Sequence, residues 1–265
     1  MMLCFRQVVL AILLFVASGV SSAATYFLSV QPVLPRDQIQ QNYQPLAKYL
    51  SDKTGHTISI KSYRNFLTYW ARMQKARDMH FMLDAAHFTD YRVQRKKYKV
   101  LAKFPDTVSF TVVTGDENFV FEMEELISKK IATMASPGMG AVRLNSMFPN
   151  PVRLPFCIEA SDSVDAVNRV LDGSVDAAII PSPLVGNFEN LNSIVSTDPV
   201  PHMAFSASPE VPDEVVLAVK NALLDAIKTP DGKKMLEEMN IEYFEDANAD
   251  LYAGYAELLE GMFGY

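Results

Sequence analysis

Apolar positions along this chain switch repeatedly between a period of two and a period of 3.6. Tyr26 to Val30 reads as a strand. Asp37 to Lys53 follows as an amphipathic helix, with Ile39, Tyr43, Leu46, Ala47 and Leu50 on one face and Gly55 closing it. Thr57 to Ser62 alternates as a strand, Phe66 to Ala76 is helical, and Met79 to Leu83 is an apolar strand. Phe88 to Lys97 is a helix and Tyr98 to Lys103 returns as a strand. Strands separated by helices predict a parallel sheet with helices packed on it.

The pattern then repeats with shorter pieces. Val108 to Val113, Lys130 to Ala135, Val152 to Ile158 and Val175 to Ile180 are strand-like. Glu122 to Ser128, Ala141 to Phe148 and Asp162 to Leu171 are helical, the last ended by Gly173. Asp213 to Ile227, Gly232 to Met239 and Ala249 to Met262 complete the helices. Two extended, Pro-containing segments, Phe104 to Ser109 and Ser196 to Met203, separate the blocks. Two crossovers imply two lobes: residues 25–106 with 203–265, and residues 107–202. Strand-to-helix turns aimed into the gap suit closure on a small ligand.

One such turn is Met134-Ala135-Ser136-Pro137-Gly138-Met139-Gly140-Ala141. A strand that runs through a Gly-containing turn into a helix directs free backbone N–H groups, and the positive end of the helix dipole, at whatever lies over the turn. Such joints are also plain structural features throughout α/β proteins, so the turn gains meaning only from its context.

The N-terminus adds to that context. Arg6 precedes an apolar run, Val8 to Val20, and Ser21-Ser22-Ala23-Ala24 supplies small residues for cleavage. Residues 1–24 are expected to be a secretory signal peptide, which places the mature chain in the periplasm. Losing Arg6 moves the formal charge from −7 to −8. A net acidic chain argues against nucleic acid and anionic membranes as partners. The basic cluster Arg92 to Lys99 is expected to be a solvated helix face, with Tyr91 and Arg92 turned to solvent. Cys157 is the one cysteine beyond the leader. No intramolecular disulfide is then possible, and a buried strand position is expected for it.

Several stretches, in order, resemble the periplasmic solute-binding proteins of phosphate, phosphite and phosphonate ABC importers. Tyr43-Gln44-Pro45-Leu46-Ala47-Lys48-Tyr49-Leu50 running to Lys53-Thr54-Gly55 is similar to that family's first helix. Glu124 to Ala132 resembles its helix-then-strand passage into the second lobe, and Leu171-Asp172-Gly173-Ser174-Val175-Asp176-Ala177 its Gly-x-Val-Asp-Ala turn. The resemblance implies an α/β type II periplasmic binding protein, two α/β lobes joined by two crossover strands. It implies a monomer without a cofactor that serves an inner-membrane ABC permease. It also implies a ligand loop at Ser136, Gly138, Met139, Gly140 and Ala141. Phosphonate binders carry Ser-Thr-Ser at the helix start, whose hydroxyls bond phosphonate oxygens. Here Met139, Gly140 and Ala141 leave backbone donors alone, which suggests a less polar or differently charged ligand.

From the facing lobe, Asp84 and His87 follow a buried strand, where open α/β sheets place ligand contacts. Asp84 as a cap of the next helix, with His87 packed nearby, is the competing reading. Tyr63 and Asn65 would cover one side of the ligand. Ser182, within Pro181-Ser182-Pro183, stands where the family has an acid. His80, Asp84 and His87 do not make a metal site, because alternation turns His80 away. Ser136 lacks both the Gly-x-Ser-x-Gly pattern and an assignable base, so no enzyme is expected. The expected function is capture of a small anion, phosphonate-like, phosphate-like or a carboxylate. A soluble sensory protein that partners a membrane receptor is the second reading.

Overall fold

The computed structural model describes residues 23–75, 78–262 and 264–265. The expected signal peptide lies outside them apart from Ala23 and Ala24. Strand β1 (Thr25–Val30) leads into helix α1 (Arg36–Thr54), whose predicted face is buried and which Gly55 ends in a left-handed conformation (φ 72°). Then come β2 (Thr57–Lys61), α2 (Phe66–Lys75), β3 (Phe81–Asp84), α3 (Ala86–Lys96) and β4 (Lys99–Lys103). A short β5 (Thr107–Val108) opens the second block. It continues with β6 (Phe110–Gly115), β7 (Lys130–Met134), α4 (Met139–Met147), β8 (Phe156–Ala160), α5 (Ser163–Leu171), β9 (Ala177–Pro181) and β10 (Leu191–Ser196). Last are β11 (Val200–Pro201), β12 (Ala204–Ala207), α6 (Asp213–Leu224), α7 (Pro230–Glu238) and β13 (Glu245–Asp246).

These strands form two sheets. One has six strands in the order β13-β4-β12-β3-β1-β2, and the other five in the order β10-β6-β9-β7-β8. Between them β5 pairs antiparallel with β11, so the two crossovers run side by side. The fold is that of a type II periplasmic binding protein, two α/β lobes joined by two strands. Among the described residues no helix is long and apolar enough to cross a membrane.

Neither sheet is purely parallel. The chain returns through the second crossover and inserts β12 antiparallel between β3 and β4. β12 is only four residues long and β10 carries no strict alternation, so neither shows in the pattern. The strand expected from Val152 starts only at Phe156, because Pro151 and Pro155 cannot donate to a ladder. Glu122 to Ser128 holds one 3₁₀ turn, Met123–Leu126. The expected terminal helix is two 3₁₀ turns, Ala249–Tyr252 and Tyr255–Leu259, broken where Gly254 takes φ 91°.

Two further expectations are corrected. Cys157 is exposed, because β8 is an edge strand that pairs only with β7. Tyr91 and Arg92 are buried; Arg92 is 1% exposed and stands in the first lobe's core. Only the remainder of the basic cluster is a solvated face.

Candidate ligand-binding site

The carboxyl ends of β1, β3, β7 and β9 all meet the gap between the lobes, the usual place for a ligand in open α/β sheets. A cleft of about 730 Å³ lies there. Phe66 and Met203 form its first-lobe wall, while Phe110, Met134, Met139 and Leu184 face them from the second. Its polar lining is sparse: Gln31, Gln38, Asp162, Ser163 and His202, with no lysine or arginine. Gln31 is fixed, since its Oε1 accepts from the Ala85 N–H at 3.1 Å. Asp162 caps α5 by accepting from the Asp165 N–H at 2.8 Å, so its charge already serves that helix. Burial, and then the nearby Lys103 charge, lowers the pKa of His202 and favours its neutral form.

Three helix starts without a side-chain cap lie against the cleft. α1, α3 and α4 begin after Pro35, Ala85 and Gly138, none of which makes a side-chain cap. First-turn N–H groups at such a start have no intrahelical partner, and the dipole places partial positive charge there. The turn before α4 is held tightly. Gly138 donates to the Ala135 carbonyl at 2.9 Å and accepts from the Val142 N–H at 3.1 Å. A Cβ on Gly138 would stand 3.0 Å from both the Phe66 ring and the Ala135 oxygen, and one on Gly140 would stand 3.1 Å from Thr133 Oγ1. Close packing, not backbone angle, requires glycine at these two positions.

Of the ten expected site residues, Gly138 holds the turn before α4 without lining the cleft, and the other nine divide into two groups. Met139 and Gly140 line the cleft. Asn65 lies at its rim, where its Oδ1 accepts from the Thr68 N–H and hydroxyl at 3.0 and 2.9 Å. Ser136 and Ala141 line a side groove of about 330 Å³ that also holds Asn65 and Cys157. The Ser136 hydroxyl points to Met262 Sδ at 3.3 Å.

Four others are spent on structure. Asp84 is fully buried and neither contacts the cleft nor caps α3. Its Oδ1 accepts from Arg92 Nη2 at 2.6 Å and Thr89 Oγ1 at 3.1 Å, and its Oδ2 accepts from Arg92 Nη1 and the Tyr69 hydroxyl. Burial, then the Asp84 charge, holds the Tyr69 hydroxyl well above its ordinary pKa, so it stays a donor. His87 is also fully buried and reaches Pro137 of the second lobe rather than open space. Tyr63 is buried with its hydroxyl 2.9 Å from Ser29 Oγ. Ser182 joins a hydroxyl cluster, 2.8 Å from Ser109 Oγ and 2.7 Å from Thr111 Oγ1. His80 accepts from the Phe27 N–H at 3.1 Å.

The sequence reading missed the rim. A hollow of about 400 Å³ shares Leu34, Phe66 and Met134 with the cleft and adds Arg36, Arg64, Glu159 and Ser161. Ion pairs among the described residues use neither arginine nor Glu159. A signal was present: Arg36 opens α1 and Arg64 stands two residues before α2 begins at Phe66, where a cation opposes the helix dipole.

The family model described as ABC transporter, phosphonate, periplasmic substrate-binding protein matches residues 28–252. Among solved structures, PhnD1 from Prochlorococcus marinus in complex with methylphosphonate aligns with a TM-score of 0.75 and 14% identity, over 89% of this chain and 97% of that one. A binding protein component of an ABC phosphonate transporter from Pseudomonas aeruginosa aligns at 0.75 and 12% identity, over 89% and 86%. A Xanthomonas citri protein bound to ATP aligns at 0.71 and 10% identity, over 88% and 98%. These likenesses are of fold. No curated protein matches the chain in sequence.

Proposed function

The chain belongs to the family of periplasmic substrate-binding proteins of phosphonate ABC transporters, and from that premise we propose that it captures a small organic anion between its lobes for an inner-membrane permease. The observation that carries the reading is the convergence of three uncapped helix starts, α1, α3 and α4, on one cleft. Donors of this kind suit an oxyanion or carboxylate.

In this account Arg36 and Arg64 at the rim draw the anion locally, because the whole chain is acidic. The anion settles against the start of α4, where Gly140 lets the helix pack close and Met139 offers a thioether instead of a hydroxyl. The paired crossovers β5 and β11 act as the hinge, and closure buries the ligand. Asp84, Tyr63 and Ser182 then hold the walls in place rather than touching the ligand. The protein works as a periplasmic monomer.

The test is a thermal-shift screen of the purified mature chain against phosphate, phosphite, alkylphosphonates, carboxylates and divalent metals. A ligand that binds the folded state raises the midpoint by mass action. Organic anions are expected to raise it. A shift with metals alone would overturn the reading.

A further inference from the structure

Resting on that reading of the cleft, we propose that the ligand is an amphiphilic organic anion: a phosphonate or carboxylate whose substituent is an alkyl or aryl group of several carbons. The first argument is size. At about 730 Å³ the cleft falls in the range that encloses drug-sized molecules. A phosphonate head with a single methyl would fill a small part of it.

This space is not simply an open mouth. The lobes already meet, since His87 reaches Pro137 at 2.8 Å and Gly138 lies against the Phe66 ring. What remains beside these contacts is a cleft still partly open to solvent, as the 52% exposure of Val164 on its lining shows.

The second argument is chemistry. Beyond the helix starts, Gln31 and His202 are the polar exceptions in walls that are otherwise mostly apolar, and Phe66, Phe110, Met139 and Met203 are each core residues that line the cleft. Water held against such walls finds few partners, whereas hydrocarbon removes that surface from water. Three methionines, Met134, Met139 and Met203, give the lining an adaptable surface that accepts differently shaped substituents. Without lysine or arginine inside, no second charge on the ligand would be matched.

Head and tail positions follow. The head sits at the start of α4 beside Gly140. The substituent runs toward the crossovers, where Val108, Val200 and Leu184 close the far end. Val108 and Val200 belong to the paired strands β5 and β11, so substituent length is read beside the pivot.

The experiment is isothermal titration of the mature protein with n-alkylphosphonates from methyl to octyl and the n-alkyl carboxylates of the same chain lengths, alongside the matching alcohols. Affinity is expected to rise about fourfold for each methylene buried, until the chamber is full. Leu184→Trp, at a half-buried position, should narrow the cleft and shorten the chain length at which the gain stops. A flat series, with methylphosphonate as tight as octylphosphonate, overturns the substituent while leaving anion capture standing. Alcohols that bind as tightly as phosphonates of equal length overturn the anion reading instead. No binding at any length overturns both.

Discussion

His87 and Pro137 meet across the gap between the lobes, with the imidazole Nε2 2.8 Å from the proline carbonyl oxygen. The ring is fully buried, packs on Phe88 at 4.0 Å between centroids, and leaves Nδ1 without a hydrogen-bond partner among the described residues. That geometry fits a neutral imidazole that donates from Nε2. Burial pushes the His87 pKa down to about 4, although the Pro137 bond and the Asp84 charge pull the other way.

A pH dependence follows from this pair. The unfolded chain takes up a proton near pH 6.5 and the folded chain near 4, so His87's contribution is complete above 6.5 and is lost as pH falls toward 4. The loss between pH 7 and pH 5 is about 2 kcal/mol. Urea denaturation at the two pH values should show that decrement in the wild type and a smaller one in His87→Gln. Equal decrements would place the pH dependence elsewhere.

Asp84 and Arg92 form the core's ion pair. Removing the carboxylate leaves a guanidinium in the interior with, among the described residues, only Ser206 Oγ, at 3.0 Å, as an oxygen partner. Asp84→Ala should cost about 3–5 kcal/mol of stability in chemical denaturation. The double variant Asp84→Ala, Arg92→Met should recover most of it. A double variant no better than the single would mean that the pair does not act as a unit.

These residues also mark how far the sequence could be read. Regular periodicity revealed α1 with its buried face and the strand-turn-helix around Gly138, because both are local. The destination of Asp84 was not local: a strand-end acid reads equally as ligand contact or cap, and only packing of α3 against α2 brings Arg92 and Tyr69 to it. Arg92 was misread because four more basic residues follow it by Lys99. β12 was missed because four residues carry too little pattern. The rim arginines were legible as cations against the helix dipole, but only the meeting of the lobes brings Arg36 and Arg64 together with Glu159 at one hollow.

Gly138 has φ −58°, which any residue can adopt, so its demand for glycine comes from space. Gly138→Ala would press a methyl onto the Phe66 ring and the Ala135 carbonyl. Stability should fall by about 1–3 kcal/mol, as for other overpacked sites. Anion affinity should fall as well, because the turn that carries the α4 donors must move. A melting temperature and a titration that match the wild type would contradict the packing account.

The rim arginines are exposed and make no ion pair among the described residues, so their role should show in rates and salt dependence. Arg36→Glu with Arg64→Glu is expected to slow anion association about tenfold at low salt, with little change near 1 M salt. Stopped-flow mixing over a range of ionic strength would measure it. An association rate equal to the wild type at low salt would remove the arginines from the capture path.

Val164 offers the most direct test of anion capture in the cleft. It lines the cleft in the first turn of α5 yet is 52% exposed, so a charge there leaves the core undisturbed. Isothermal titration of the tightest-binding organic anion would compare Val164→Lys, the wild type and Val164→Glu. The account predicts affinity in that order, with about tenfold or more between the two variants at low salt. Equal affinities in all three proteins would place the anion outside the cleft and contradict the account.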